Sequence, residues 1–171
     1  RYQNLAECEV RVYPMDLEFL FSKRPFMQGR SEAVAFVKPR HSETVRLPKG
    51  KDLVRVSLPD PFRRASVLVE VSGGGVRRTA ANFAHNLDVQ AVEAYGQIRV
   101  CRHGSQKAVA KAYVKVYARM KGGEVRFYKD GYTDLRGRFD YTSLNTDDLD
   151  QVERFSILVL SEEDGGLVRE A

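Results

Sequence analysis

Apolar and polar side chains alternate with a period of two along most of the chain. The alternation is clear in Cys8–Tyr13, in Asp52–Leu58 and in Ser66–Val71. Because successive side chains of a β-strand point to opposite faces, each stretch predicts a strand with one face on a core. Prolines and glycines interrupt the pattern at intervals typical of a β-sandwich.

The glycine-rich stretch Ser72–Gly75 lies between two of the alternating segments. A phosphate-binding loop would need a following helix and a Lys-Ser/Thr pair, whereas Val76–Ala80 reads Val-Arg-Arg-Thr-Ala. The pattern therefore predicts a hairpin turn that joins Val67–Val71 to Val76–Phe83, with glycines supplying positive φ.

The alternation that begins at Leu87 breaks over Val92–Gly96 and restarts at Ile98. A register break that ends in glycine is expected of a linker between two sheets. We therefore predict an all-β chain of two tandem β-sandwich domains, residues 1–95 and 96–171. The window Thr146–Val152, with Thr146 as N-cap, predicts one or two helical turns.

A resemblance to a known family is found in the second half. Its residues are Gly96–Val100, the strand Ala112–Val116, and the turn Thr133-Asp134-Leu135-Arg136-Gly137-Arg138-Phe139. This order resembles the carboxypeptidase regulatory-like family, whose modules are transthyretin-like Greek-key sandwiches. The resemblance implies a non-catalytic module over residues 96–171. Residues 1–95 resemble macroglobulin-type or fibronectin-type sandwich domains more loosely.

The Thr-Asp-x-x-Gly-x-Phe turn also has a physical explanation. Asp134 is placed to accept backbone N–H groups, Gly137 to adopt positive φ, and Phe139 to return to the core. We expect Thr133, Asp134, Gly137 and Phe139 to form a structural turn.

Composition and charge exclude several classes of protein. The 171 residues are 43% hydrophobic and 30% charged with a formal net charge of +5, which excludes a disordered tail. Residues 1–95 hold 15 basic and 11 acidic side chains, without the dense basic stripe of a nucleic-acid surface. No apolar run approaches the roughly 20 residues of a membrane helix. We therefore expect neither a nucleic-acid partner nor membrane insertion, and the sequence assigns no compartment.

Candidate catalytic and metal-ligating residues are few. His41, His85 and His103 have no second ligand at i+2 or i+4 and no nucleophile motif nearby, so we expect surface histidines, no enzyme and no cofactor. The two cysteines, Cys8 and Cys101, are expected to be free and partly buried, although pairing stays open. The acidic group Asp147, Asp148 and Asp150 is a weak calcium candidate that lacks the glycine and bidentate Glu of a calcium loop.

Aromatic residues suggest a binding surface in the second half. Both faces of the strand Tyr113–Ala118 cannot be core in a two-layer sandwich, so either its valines or its tyrosines must lie outside. The resulting candidate binding residues, which combine aromatic rings with cations, are Tyr113, Lys115, Tyr117, Arg126 and Tyr128.

The predicted function is that of a non-catalytic spacer and docking surface for neighbouring domains of the same chain or for partner proteins. The alternative is a module that binds a glycan or peptide through the tyrosine face. Because the chain begins at Arg1 and ends at Ala171 without a closing motif, we expect it to be an interior segment of a larger multidomain protein.

Overall fold

A computed structural model describes residues 1–26, 38–63, 65–142 and 149–171. The described chain contains β-strands β1 (Glu7–Pro14), β2 (His41–Arg46), β3 (Val67–Gly73), β4 (Val76–Asn82), β5 (Leu87–Val92), β6 (Gln97–Arg102), β7 (Tyr113–Met120), β8 (Val125–Tyr132), β9 (Arg138–Asp140), β10 (Val152–Ser161) and β11 (Gly165–Glu170). Its helices are α1 (Leu17–Lys23), α2 (Asp60–Arg63) and two 3₁₀ turns, Glu93–Tyr95 and Leu149–Gln151. None of these helices has the length and apolar character that crossing a membrane requires.

The chain divides into two compact units. The first unit contains Arg1–Asp16 and the described part of 29–84, and the second contains residues 17–26 and the described part of 85–171. The second unit therefore includes a segment that precedes most of the first unit in the sequence.

The first unit contains a four-stranded antiparallel sheet in the order β2-β1-β3-β4. Alternate residues of β1, such as Cys8 and Val10, pack with Leu47 in a small apolar cluster. The predicted hairpin between β3 and β4 is confirmed, with Gly74 and Gly75 at φ values of +56° and +78°. The predicted strand at Asp52–Leu58 is wrong because this segment joins no sheet; it contributes Val54 to the apolar cluster from a loop.

The second unit is a sandwich of two sheets, in the orders β11-β10-β7-β8 and β5-β6-β9. Its core lies between them, with Val89, Ile98 and Val100 of the smaller sheet and Val114, Val116 and Ile157 of the larger one fully or almost fully buried. The alternation in β7 places its valines in this core and its tyrosines on the opposite side of the sheet.

The break in alternation near residue 95 lies within the second unit. β5 and β6 are neighbours in one sheet, and Val92 lies opposite Gln97 at the closed end of their hairpin. The 3₁₀ turn Glu93–Tyr95 and Gly96, at φ +57°, form the connection. The break in alternation is thus a hairpin loop, and the two units divide between Ala84 and His85.

Candidate functional site: the outer face of the second unit

The larger sheet of the second unit has one face in the core and one turned away from it, which we call the outer face. On β7 the outer face carries Tyr113, Lys115, Tyr117 and Arg119, all partly buried. Three of the five predicted binding residues, Tyr113, Lys115 and Tyr117, therefore lie side by side on one strand.

Residues 17–26, which we call the strap, lie across this outer face. Phe21 of α1 is 3% exposed, and its ring meets the Tyr117 ring edge to face at 5.6 Å. The Glu18 carboxylate accepts a hydrogen bond from Lys115 Nζ at 3.0 Å. A buried aromatic contact and a partly buried ion pair thus fix one helix to one strand.

The last residues of the strap make two further contacts with the larger sheet. The hydroxyl of Ser156, fully buried on β10, donates to the Pro25 carbonyl at 2.5 Å. The Arg119 guanidinium stands over the Phe26 ring at 4.2 Å from its centroid, a cation–π geometry. The strap therefore satisfies a polar group that the sheet alone would leave unpaired.

Part of the outer face stays open beside the strap. Phe127 and Tyr132 of β8 are 50% and 67% exposed, and their rings contact Tyr117 and Tyr113 at 5.8 and 5.5 Å. The Tyr113 hydroxyl donates to Asp130 Oδ2 at 2.9 Å. Burial, followed by this hydrogen bond, raises the pKa of Tyr113, so the phenol stays protonated as a donor. The open part is therefore an aromatic surface with a carboxylate at its centre.

Arg126 and Tyr128 lie on the core side of the sheet, apart from the other three predicted residues. The β7–β8 register shifts between Val116 and Tyr117, so Phe127 rather than Tyr128 faces Tyr117. Arg126 pairs with the buried Ala118, and the Tyr128 ring packs on Phe155 at 5.0 Å in the core cluster. The bulge inserts one extra residue and turns the following side chains over.

The bulge is visible in the ring contacts of the structure rather than in the sequence. Phe127 and Tyr132 are separated by an odd number of positions, yet both lie against tyrosines of the same face. In a regular strand, residues an odd number apart face opposite sides.

The turn after β8 is built around Thr133 and Asp134. The buried Thr133 hydroxyl donates to the Val109 carbonyl at 2.7 Å and accepts the Ala112 N–H at 2.9 Å. Asp134 Oδ1 accepts the N–H groups of Arg138 and Arg136, both at 2.8 Å. The Arg138 N–H is the main cause that holds the pKa of Asp134 below its ordinary value.

Gly137 and Phe139 complete this turn. Gly137 has φ +71°, and a Cβ there would overlap the Val100 carbonyl oxygen. Its own carbonyl accepts the Val100 N–H at 2.7 Å, which ties the turn to β6. Phe139 then pairs with Ile98 and is buried in the core. These contacts hold the turn against the smaller sheet.

The remaining candidate residues are the three histidines and the acidic group. His41 belongs to the first unit and His85 and His103 to the second. Among the described residues no group of three His, Cys, Asp or Glu side chains is arranged to hold a metal. Asp147 and Asp148 lie outside the described residues, and Asp150 is exposed in the second 3₁₀ turn.

Both cysteines are free and buried. Cys8 lies in the first unit and Cys101 in the second, and neither forms a disulfide in the structure. Burial raises the pKa of the Cys8 thiol, which keeps it in the less reactive thiol form.

Models of two known protein domain families match this chain. A family model described as the AbpF C-terminal domain matches residues 86–171, which is half of the chain. The chain belongs to the AbpF C-terminal domain family. A second model, the AbpF seventh immunoglobulin-like domain, matches residues 1–69. The predicted all-β fold of two tandem β-sandwich domains is therefore confirmed, and the domains are immunoglobulin-like.

Two individual proteins are also similar. Actin-binding protein F of Dictyostelium discoideum is 35% identical over 170 residues, which cover 99% of this chain and 7% of the relative. The chain thus spans a small fraction of that protein's length. The crystal structure of native alpha-2-macroglobulin from Escherichia coli, spanning domains NIE-MG1, aligns with a TM-score of 0.54 and 9% identity over 98% of this chain and 84% of that chain. This likeness concerns the fold alone.

Proposed function

We propose that this chain is a non-catalytic pair of immunoglobulin-like modules that acts as a spacer and protein-docking surface within a larger actin-associated protein. The observation that carries the proposal is the 35% identity to actin-binding protein F, which extends through both units. Both matched families are domains of that protein, and the second is described as immunoglobulin-like. The partners are neighbouring domains of the same protein or the filament itself.

The docking surface is the open part of the outer face, formed by Phe127, Tyr132, Tyr113 and Asp130. Two large aromatic side chains at least half exposed on one strand are the kind of residue that anchors protein interfaces. Each ring rests on a second aromatic ring, so little side-chain entropy is lost when a partner packs on it.

Sedimentation of the 171-residue chain with actin filaments tests the proposal. We expect saturable sedimentation with filaments, and the double variant Phe127→Ser/Tyr132→Ser should weaken it at least about tenfold. Leu135→Ser is the matched control, because Leu135 is also an exposed apolar residue of the second unit but lies in the turn. A folded chain that never sediments with filaments would overturn actin docking. Equal filament binding by the double variant and the wild-type chain would show that the docking surface does not include Phe127 and Tyr132.

A second candidate function is recognition of a glycan or peptide by the same surface, favoured by the Tyr113 hydroxyl and Asp130 carboxylate between the rings. Aromatic rings flanking polar groups suit the apolar faces and hydroxyls of a sugar. Titration of the chain with a soluble glycan panel, monitored by tyrosine fluorescence, separates the two functions. Saturable quenching in wild type that is lost in Tyr132→Ser would favour the ligand-binding module.

The limits of the modules are part of the proposal. We propose modules of 1–84 and 85–171, with the strap belonging to the second, in place of 1–95 and 96–171. The two-sheet core and the Thr133–Phe139 turn support a transthyretin-like character for the second module.

A further inference from the structure

The edge strand β4 of the first unit is unlike the other strands. All of its residues except Ala81 are exposed, so both of its faces are open to solvent. It pairs with β3 in an unbroken register from Gly73↔Val76 to Val67↔Asn82, with no bulge. Long, regular edge strands present unpaired N–H and C=O groups to other chains unless something blocks them.

The hairpin geometry shows which backbone groups of β4 are unpaired. Gly74 and Gly75 both have positive φ, which is a two-residue type I′ turn that closes on a hydrogen-bonded Gly73/Val76 pair. Hydrogen-bonded and non-bonded pairs then alternate along the strand. The N–H and C=O groups of Arg77, Thr79 and Ala81 consequently point away from β3.

The order of side chains along β4 is self-complementary about Thr79. The sequence Val76-Arg77-Arg78-Thr79-Ala80-Ala81-Asn82 has large side chains before Thr79 and small ones after it. If a second copy pairs antiparallel with Thr79 opposite Thr79, Arg77 faces Ala81 and Arg78 faces Ala80. Each bulky arginine therefore meets an alanine, and the central Thr–Thr pair is a favourable cross-strand pair.

Charge is compatible with the same alignment. The Arg77 residues of two copies lie four positions apart along the strands, or about 13 Å, whereas the Arg78 residues, which share one exposed face, lie two positions apart, or about 7 Å. Arg77 is 3.5 Å from Glu70 of its own β3. In the paired arrangement Glu70 of the second copy is about 12 Å away, Cα to Cα, across the small Thr79 and Ala81 side chains. This separation is within the combined length of an arginine and a glutamate side chain.

We propose that β4 is a homodimerisation edge, at which two copies of this chain pair antiparallel about Thr79 and join their first-unit sheets into one continuous sheet. The alternative role of the two arginines is to guard the edge against pairing. That role predicts a monomer at every concentration.

Disulfide cross-linking of the 171-residue chain tests the proposed register. Thr79→Cys places two thiols opposite each other at the two-fold axis, at the Cα separation of about 5.5 Å that a disulfide needs. Val76→Cys is the matched control, because its thiols are six positions, or about 20 Å, apart in that register. The native Cys8 and Cys101 are buried and contribute little background.

We expect mild oxidation to convert Thr79→Cys, and not Val76→Cys, into a covalent dimer of twice the 19.4 kDa chain mass. Equal cross-linking of both variants, or of neither at millimolar chain concentration, would overturn the proposal.

Light scattering on wild-type and variant chains tests the proposal without a new thiol. Thr79→Pro removes the two outward N–H groups at the axis without removing a β3–β4 hydrogen bond, and should weaken dimerisation at least about tenfold. Thr79→Val keeps the N–H and should retain the dimer. Should the proline variant fail to fold, Ala80→Arg provides the same test, because it sets a new guanidinium against Arg78 of the second copy and leaves the backbone unchanged. A dimer that survives both Thr79→Pro and Ala80→Arg would rule out this edge.

Discussion

Phe21→Ala tests whether the strap is a structural part of the second unit. Phe21 is 3% exposed and packs on Tyr117, so truncation removes a buried aromatic side chain and its edge-to-face contact. Burial of a phenylalanine is worth about 1.5–3 kcal/mol, and a ring pair adds about 0.5–1.5 kcal/mol. We therefore expect the free energy of unfolding of the second unit to fall by about 3 kcal/mol. The loss cannot exceed the free energy with which the strap is held, because beyond that value the strap would detach.

The matched control lies two residues away on the same helix. Phe19 is 54% exposed, with the Lys23 ammonium over its ring at 4.5 Å. Phe19→Ala makes the same chemical change with the same gain in helix propensity, and should cost less than about 1 kcal/mol. The difference in unfolding free energy between the two variants therefore measures the contribution of burying Phe21 on the outer face.

Urea unfolding monitored by tyrosine fluorescence measures both variants in the full chain. For a unit of this size, 3 kcal/mol also corresponds to a fall in Tm of about 10–20 °C. Hydrogen exchange should show faster exchange at β10 near Ser156 in Phe21→Ala only. Equal losses below 1 kcal/mol in both variants would refute the assignment of residues 17–26 to the second unit.

Three further predictions concern the turn and the thiols. Gly137→Ala should destabilise the second unit by at least about 2 kcal/mol in urea unfolding, because φ is +71° and a Cβ would meet the Val100 carbonyl. The control Gly122→Ala has open space around the added Cβ and should change the free energy of unfolding by less than about 0.5 kcal/mol. The pKa of Asp134 is depressed in the folded chain, so its contribution to stability is present above the ordinary pKa of about 3.8 and is lost as pH falls through the folded pKa. Asp134→Asn should therefore flatten the acid side of the curve of unfolding free energy against pH. An unchanged slope below pH 4 would contradict this. Both cysteines should react with a thiol reagent only after unfolding, and rapid labelling of the native chain would disprove their burial.

The strands of the chain were largely predictable, because a half-buried strand shows itself in alternation. β1, β3 and β7 lie where period-two segments end at glycine, proline or a charged turn, whereas β4 followed from the glycine turn that precedes it. Asp52–Leu58 shows where the same signal misleads. Its alternation matches the packing of Val54 on the apolar cluster. A strand, however, also needs a neighbouring strand for its backbone hydrogen bonds, and local sequence does not specify that neighbour.

The strap was missed although its pattern is visible. Leu17, Leu20 and Phe21 are spaced i, i+3 and i+4, which is one face of a helix, and Asp16 precedes them. The pattern is only seven residues long, and isolated helices of that length are unstable in water. What stabilises α1 is a sheet encoded almost one hundred residues later, which no local reading of residues 17–23 reveals.

The candidate site was predicted in part for a related reason. Tyr113, Lys115 and Tyr117 follow from the alternation of a single strand, and the structure places them on one face. Arg126 and Tyr128 depended on a regular register with the next strand, and one bulge reversed their side. Glu18 and Phe21 reach the same face through tertiary structure alone.

The strap also has a consequence for biosynthesis. Residues 17–26 leave the ribosome before Ser156, the buried partner of Pro25, which is translated 131 residues later. At 5–20 residues per second, the strap stays without its binding site for about 7–26 s. During that interval its buried phenylalanine is available to chaperones or to a neighbouring nascent chain. Recombinant fragments that begin at residue 85 would lack the strap entirely, and they would display Tyr117 and Ser156 to solvent from the moment they fold.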